Sequence, residues 1–416
     1  MTAHPSATAD VLVIGGGPAG SAAAILLARR GHSVILVERD VLPRADRFGA
    51  LISPRSLTAL RQFELGDLEP FHHVRHLRLT YGGTSTSTTW PSHPEYPAYA
   101  AVAARDVFDH RLLQAAEAEG VTVLVGHEAT EPIIERGFAR GAEITAPDGS
   151  EFEARATYTV VADGANSRFG RALGTSRRPT WPYALAHRVT YASPLHDAGE
   201  VELIADLRDR SDTPVTGYGW MLPTGDGNVT VGVMMMSTSP SFRVVKPAHL
   251  LDRVIAEHGD RWHLEATPTM PAAGGRVPLG MSVGPSAGPT YLLIGDAVGA
   301  GNPLSGAGIE GAIETGAMAA EVIDDALQSG SATALQQYTR QLTDRYGTYF
   351  RFGRLTTRAL GQPALSRRVN RLVARRRHAA NAVVRLAANE LRPNRIGAAE
   401  MVYRAGRAVT MILSDD

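Results

Sequence analysis

The chain has 416 residues, room for two or three domains, and its 42 Lys and Arg balance 42 Asp and Glu, which argues against nucleic acid or another polyanion as partner. The absence of cysteine excludes disulfides, thiolate-held iron–sulfur clusters and C-x-x-C chemistry, so any electron transfer must run on a bound cofactor. No apolar run approaches the length of a membrane span, and MTAHPSATAD lacks the basic-then-apolar start of a signal peptide, so cytoplasmic residence is expected.

Residues 1–10 are small and polar, as in a frayed leader. Residues 11–39 read VLVIGGGPAGSAAAILLARRGHSVILVER. An apolar strand, Val11–Ile14, runs straight into Gly15, Gly17 and Gly20 at G-x-G-x-x-G spacing. A small-residue helix follows, then a second strand ending at Glu38. Gly15 permits the tight turn, and Gly17 lets backbone approach a pyrophosphate. Gly20 lets the helix pack closely on the strand, and the helix N-terminus faces the phosphates. Glu38, eighteen residues past Gly20, is placed to bind ribose hydroxyls, with Arg39 beside it as a further cofactor contact.

After Asp40 a Pro/Gly/Arg loop leads into a helix expected from Pro54 to Phe63. Residues 77–100 read as strands, and 105–119 have helical period. VTVLVG is a short strand, AEITAPDGSEFEA a hairpin turning at Asp148-Gly149, and YTVVADGA a strand ending at Asp163. Residues 180–275 are strand-like, with clear alternation in NVTVGVMMM, a hairpin turn at Asp226-Gly227-Asn228 and one inserted helix, PAHLLDRVIAEHG. From Tyr291 the chain returns to strand, glycine-rich loop and long helix. No internal repeat is present.

Two later segments specify FAD rather than NAD. YTVVADGANSR and YLLIGDAVGAGNPLSGAG each end a strand on an aspartate, Asp163 and Asp296, the second preceded by Gly295. A carboxylate there can accept hydrogen bonds from sugar or ribityl hydroxyls. A glycine-rich helix start then offers N–H groups to a pyrophosphate or to the flavin ring. The fold class read from this pattern is α/β (α+β). It comprises a Rossmann-like FAD-binding domain, an antiparallel-sheet substrate domain and a C-terminal helical region. The expected boundaries are 10–75, 101–175 and 276–335 for the first, 76–100 and 176–275 for the second, and 336–416 for the third.

At residues 15–24, 102–113, 160–174 and 294–316 the chain resembles FAD-dependent oxidoreductases of the p-hydroxybenzoate hydroxylase fold. GYGWMLPTGDGNVTVGV at 217–233 is similar to an aromatic motif of the geranylgeranyl reductase family, which includes menaquinone-type prenyl reductases. The resemblance covers about residues 10–350. It implies that Gly15, Gly17, Gly20 and Glu38 hold the AMP half of FAD and that Arg105 contacts the phosphates or ribityl chain. It also puts Asp163 and Asp296 beside the cofactor. Pro303, Ser305, Gly306 and Gly308 would run along the isoalloxazine, and Tyr218 and Trp220 would line the substrate cavity.

One departure stands out. Where the prenyl reductases carry a Pro–Cys–Gly–x–Gly-like stretch, residues 44–51 read RADRFGAL, and Phe48 replaces the cysteine. An aromatic there shapes a dry cavity over the flavin. The expectation is therefore a monooxygenase, hydroxylating or epoxidising an apolar isoprenoid or other natural product through a flavin hydroperoxide, ahead of prenyl double-bond reduction or a non-redox flavin-stabilised protein. Phe48, Tyr218, Trp220, Pro303 and Ser305 are its candidate catalytic residues. No second dinucleotide module is present, so NAD(P)H, the expected donor, would visit transiently or act through a flavin-reducing partner. The halogenase motif W-x-W-x-I-P is absent.

Other groups read blandly. His72, His73 and His76 sit in a loop-like stretch without acids at metal spacing, so no metal site is expected. Glu310 and Glu314 share a helix face and are expected to be solvated or capping. Met234–Met236 read as core packing or as a channel lining. Between Arg351 and Arg407 fourteen arginines accompany two acids, Glu390 and Glu400. Apolar residues interleave at helical spacing, as in a helical cap with solvated arginines. The segment also suits peripheral contact with an anionic membrane surface.

Overall fold

The computed structural model describes residues 7–41, 48–65, 71–392 and 394–412. The chain runs β1 (Ala7–Ile14), α1 (Pro18–Arg29), β2 (Val34–Glu38), β3 (Gly49–Ile52), α2 (Pro54–Gln62), β4 (His72–Val74), β5 (His76–Tyr81), β6 (Thr84–Thr89), β7 (Ala100–Ala104) and α3 (Arg105–Ala118). It continues through β8 (Thr122–Val125), β9 (Glu128–Glu135), β10 (Phe138–Thr145), β11 (Glu151–Val161), α4 (Arg168–Ala172), β12 (Ser176–Arg177), β13 (Tyr183–Ala192), β14 (Glu200–Ile204), β15 (Gly217–Pro223), β16 (Asn228–Met236) and α5 (Pro247–His258). It closes with β17 (Pro268–Pro278), β18 (Val283–Gly284), β19 (Tyr291–Leu293), α6 (Ile309–Ser329), α7 (Gln336–Leu360), α8 (Pro363–Arg375), α9 (Arg377–Ala387) and α10 (Ala398–Ile412).

The first large sheet has the order β8-β2-β1-β11-β10-β9, with β19 also on β11. Its β8, β2, β1, β11 and β19 are parallel, and at the centre of the sheet β2, β19, Val11–Ile14 of β1 and Tyr158–Val161 of β11 are buried. The small residues of α1 let α6 approach backbone to backbone: a Cβ at Gly316 would lie 2.6 Å from the Ala19 carbonyl oxygen.

The second sheet has the order β17-β13-β16-β15-β14-β5-β6, antiparallel except between β14 and β5. Alternation in β16 sorts its residues into two sets. Val229, Val231, Val233 and Met235 pack with Val189 and Met221 beneath Leu250, Leu251 and Val254 of α5. Thr230, Gly232, Met234 and Met236 take the opposite face, towards the FAD-type domain. The C-terminal region is helical, and α7 buries Tyr338, Leu342, Tyr346, Tyr349 and Phe350 against the body.

Three expectations need correction. The first strand begins at Ala7, because residues 7–9 already pair with Ala154–Ala156 of β11; residues 1–6 of the expected leader lie outside the described residues. The three histidines are in strands: His72 and His73 pair with β7, and His76 pairs with both β6 and β14. Glu310 and Glu314 are 9% and 7% exposed rather than solvated, because Arg55 of α2 is buried between them, 3.0 Å from Glu310 and 3.1 Å from Glu314.

Candidate cofactor and substrate site

The dinucleotide end is built by glycines with separate tasks. Gly15 has φ +106°, and a Cβ there would strike the carbonyl of Ala162. A Cβ on Gly20 would strike the carbonyl of Gly15 in turn. Gly17 differs: it caps α1, and nothing lies within 4 Å of where its Cβ would be. No side chain caps α1 and its first turn holds no acid, so free backbone N–H groups and the helix dipole face that open space. Glu38, at the end of β2, accepts from the backbone N–H of Gly16 and of Asp40, both at 2.8 Å. The Arg39 side chain is 61% exposed and lies 3.5 Å from Asp40.

At the flavin end, Asp163 Oδ2 accepts from the Phe169 N–H at 2.9 Å, which ties the end of β11 to α4. Burial raises the pKa of Asp163. Gly295 has φ +57° and donates its N–H to Thr315 Oγ1 at 2.9 Å, turning the chain so that Asp296 meets the start of α6. A Cβ on Gly308 would come within 3.3 Å of Asp296 Oδ1. Burial raises the pKa of Asp296, and the charge of Arg105 opposes the rise. The backbone N–H of Arg105 donates to the Phe48 carbonyl at 2.9 Å, and its guanidinium grips Asp109 through two bonds of 2.9 Å. The Arg105 backbone is thus tied to Phe48, and its charge acts on Asp296.

Asn302 organises the loop between them and α6. Its side-chain oxygen accepts from Leu304 N, its carbonyl from Gly306 N, and its Nδ2 donates to the Ala387 carbonyl of α9 at 2.9 Å. Thr357 of α7 donates to the Pro303 carbonyl at 2.7 Å. The C-terminal helices thus hold the 302–308 loop in place. The open space at Gly17, the uncapped helix starts and the two strand-end aspartates fit an FAD stretched from Glu38 to Gly306.

The second sheet supplies the facing wall. Tyr218 donates its hydroxyl to the Ser305 carbonyl at 2.5 Å, and Trp220 follows two residues on, its ring centroid 5.8 Å from that of Tyr218. Trp220 covers Gly232, where any Cβ would collide with the indole. Met234 reaches across to Gly306, whose φ of +71° and missing Cβ leave room for the thioether. Phe48 is 1% exposed, with the Arg188 guanidinium 4.5 Å above its ring. Gly49 donates to Thr230 Oγ1 at 2.8 Å, fixing Phe48 beside the sheet. Residues 44–47 of the departing loop lie outside the described residues. Tyr218 and Met234 of the second sheet thus meet Ser305 and Gly306, with Phe48 held beside the same sheet through Gly49.

Sequence reasoning left Met234 undecided and missed Arg188 and Asn302. A signal for Met234 did exist. The hairpin turn at 226–228 forces Tyr218 opposite Met234 and Trp220 opposite Gly232. Arg188 had none, because Phe48 lies far away in the chain, and for Asn302 the local bonds to Leu304 and Gly306 gave no sign of the remote Ala387 carbonyl it also holds.

A phosphate cradle opening onto an apolar sheet face is the arrangement of an FAD-dependent oxidoreductase. An FAD binding domain family matches residues 8–258. The chain is 32% identical to a menaquinone reductase of Mycobacterium tuberculosis (strain ATCC 25618 / H37Rv), over 98% of this chain and 97% of that protein. It is 28% identical to a digeranylgeranylglycerophospholipid reductase of Methanosarcina acetivorans, over 78% and 77% of the two chains. The chain belongs to the geranylgeranyl reductase family of FAD-dependent flavoproteins. The fold is shared with a geranylgeranyl bacteriochlorophyll reductase-like protein from Thermoplasma acidophilum (TM-score 0.76, 23% identity, covering 94% of this chain and 98% of that one). It is also shared with a flavin-dependent brominase (TM-score 0.72, 17% identity, covering 97% and 99%).

Proposed function

We propose that this chain uses bound FAD to saturate a carbon–carbon double bond in a lipophilic isoprenoid. The reading is carried by one relationship: the Tyr218–Trp220–Met234 face meets the Ser305–Gly306 loop. An apolar chain laid on that face would lie beside the ring. The names of the two relatives above, both reductases, support the same reaction class.

When bound and reduced, by NAD(P)H or by a partner reductase, FAD supplies a hydride equivalent to one alkene carbon, a proton reaches the other, and the cofactor ends oxidised. The protein's own share is grip, orientation and dryness. Gly15, Gly17, Gly20 and Glu38 would hold the AMP half, and Arg105 and Asp296 the ribityl region. Pro303 to Gly308 would line the ring. Tyr218 anchors that loop to the sheet, and burial raises its pKa, so its hydroxyl stays protonated across the working range. Phe48 under Arg188 excludes water from one side.

Oxygenation is the second reading, favoured by the buried Phe48 that replaces a cysteine. One experiment separates the two. Reduced holoenzyme is incubated with a menaquinone or geranylgeraniol under argon, and separately under ¹⁸O₂. Product heavier by two hydrogens under argon is the expected result. Turnover only in oxygen, with label in the product, would replace reduction by oxygenation.

A further inference from the structure

Between residues 361 and 410 the chain carries eleven arginines and two acids, although its overall charge is zero. Both acids are buried, Glu390 at 0% and Glu400 at 3% exposure. Nine of the arginines are exposed, so the outer surface of this segment carries arginines and no acid.

Helix α10 has an unusual outer face. Its inner side rests on α7: Tyr403 packs edge-on against Phe352 with centroids 5.3 Å apart, and Gly406 makes room for the same ring. Met401, Val402 and Val409 point the other way, 54%, 54% and 53% exposed, on the side that an ordinary surface helix makes polar. Arg404 and Arg407 flank them. On α8, Leu365 and Leu372 are likewise exposed, two turns apart on a stripe that also carries Arg368 and Arg375. Helix α9 touches both α8 and α10 and accepts the Asn302 side chain from the flavin-side loop.

We propose that the outer face of α10, with the arginine-bearing stripe of α8, docks on the surface of an anionic lipid bilayer. Apolar side chains would enter the headgroup boundary, and the guanidinium groups would pair with lipid phosphates. A second copy of the chain is a poorer occupant, because two such arginine-rich faces repel. A dissolved acidic protein would leave the outward apolar residues without a partner surface. No helix among the described residues is long and apolar enough to cross a membrane, so the contact is peripheral. The inference deepens the proposed function and rests on it for one point: the substrate is lipophilic, and α9, which touches both docked helices, braces the loop proposed to lie beside the flavin.

The test is co-sedimentation of the full-length holoenzyme with vesicles. Equimolar phosphatidylglycerol and phosphatidylcholine is compared with phosphatidylcholine alone. Binding is expected to the anionic vesicles only. It should fall about fivefold for each of Arg404→Gln and Arg407→Gln, and disappear at about 1 M salt, where the screening length is about 3 Å. Met401→Gln combined with Val409→Gln should also release the protein. Flavin content and melting temperature of each variant verify the fold. Equal binding to both lipids, no binding, or variants that bind like the parent chain would overturn the proposal. So would a concentration-dependent dimer abolished by the same substitutions. Turnover on detergent-dispersed substrate is measured in parallel, so loss of docking with intact turnover leaves the reductase reading standing, and the reverse leaves docking standing.

Discussion

Tyr218 reaches out of the second sheet and donates its hydroxyl hydrogen to the backbone carbonyl of Ser305, 2.5 Å away. This bond ties the second sheet to the loop expected along the flavin ring. Tyr218→Phe keeps the ring and removes the bond, at a cost of about 1 kcal/mol. The variant should stay yellow and melt only about 2 °C lower, while turnover drops about tenfold because the loop is no longer held. Absorbance, calorimetry and steady-state rates check the three parts.

Met234 and Gly306 form a matched pair across the same gap. Gly306→Ala drives a Cβ into the thioether and strains a backbone at φ +71°, so flavin content and activity should both fall. Adding Met234→Ala removes the collision but leaves the backbone strain of about 1 kcal/mol. The double variant should therefore recover part of its bound FAD. If the double variant is no better than Gly306→Ala alone, Met234 is not the colliding neighbour.

The glycines of the first turn should separate by assay. Gly20→Ala collides with the Gly15 carbonyl and should yield little folded protein. Gly17→Ala meets nothing within 4 Å, so apoprotein should fold with a normal melting temperature yet bind FAD about tenfold more weakly or worse. Asp296→Ala should likewise give folded, poorly flavinated protein. Normal FAD affinity in Gly17→Ala would remove the pyrophosphate from that spot.

Glu314 gathers Arg55, Arg345 and the Tyr346 hydroxyl, at 3.1, 2.6 and 2.5 Å. Burial alone would push its pKa up, but the two arginines hold it below the usual range. Glu314→Ala leaves a buried Arg55 against Glu310 alone and should destabilise the chain by about 3–5 kcal/mol in urea unfolding. Arg55→Met with Glu314→Met should cost much less than the sum of its two single changes.

Glu390 has both carboxyl oxygens buried without a hydrogen-bond partner. Burial first, and then the charge of Glu310, push its pKa up to about 8 from an ordinary value of 4.5. The folded state therefore holds a proton that the unfolded chain releases between those two values. Stability from this group is complete below pH 4.5 and is lost as pH rises through about 8. Glu390→Gln should flatten that loss, amounting to a few kcal/mol at most, and be the more stable protein in urea at about pH 9. A parent chain and variant that weaken in parallel would show that Glu390 ionises freely.

Much of the fold was legible because it depends on short-range pattern. The run from Val11 to Glu38 writes out strand, turn, helix and strand within 28 residues. The 226–228 turn sets the register that brings Tyr218 to Met234. Helical period located α3 and α5. The burial of Glu310 and Glu314 was not legible, because spacing puts them on one face and cannot say that Arg55, more than 250 residues earlier, lies against it. The histidines at 72–76 looked loop-like because β4 is only three residues long and pairs with β7, remote in sequence, while His76 is the first residue of β5.

The amino-acid order by itself determined a thiol-free chain with a phosphate cradle, two strand-end aspartates and an arginine-rich tail. Those features follow from residue type and near-neighbour spacing, which survive any arrangement of the domains. Only the tertiary structure decided that α7 and α9 clasp the Pro303–Gly308 loop, that Arg188 lies over Phe48, and that α10 turns its valines outward. Each of these depends on surfaces meeting across long loops of chain, where packing and burial, not local propensity, select the partner.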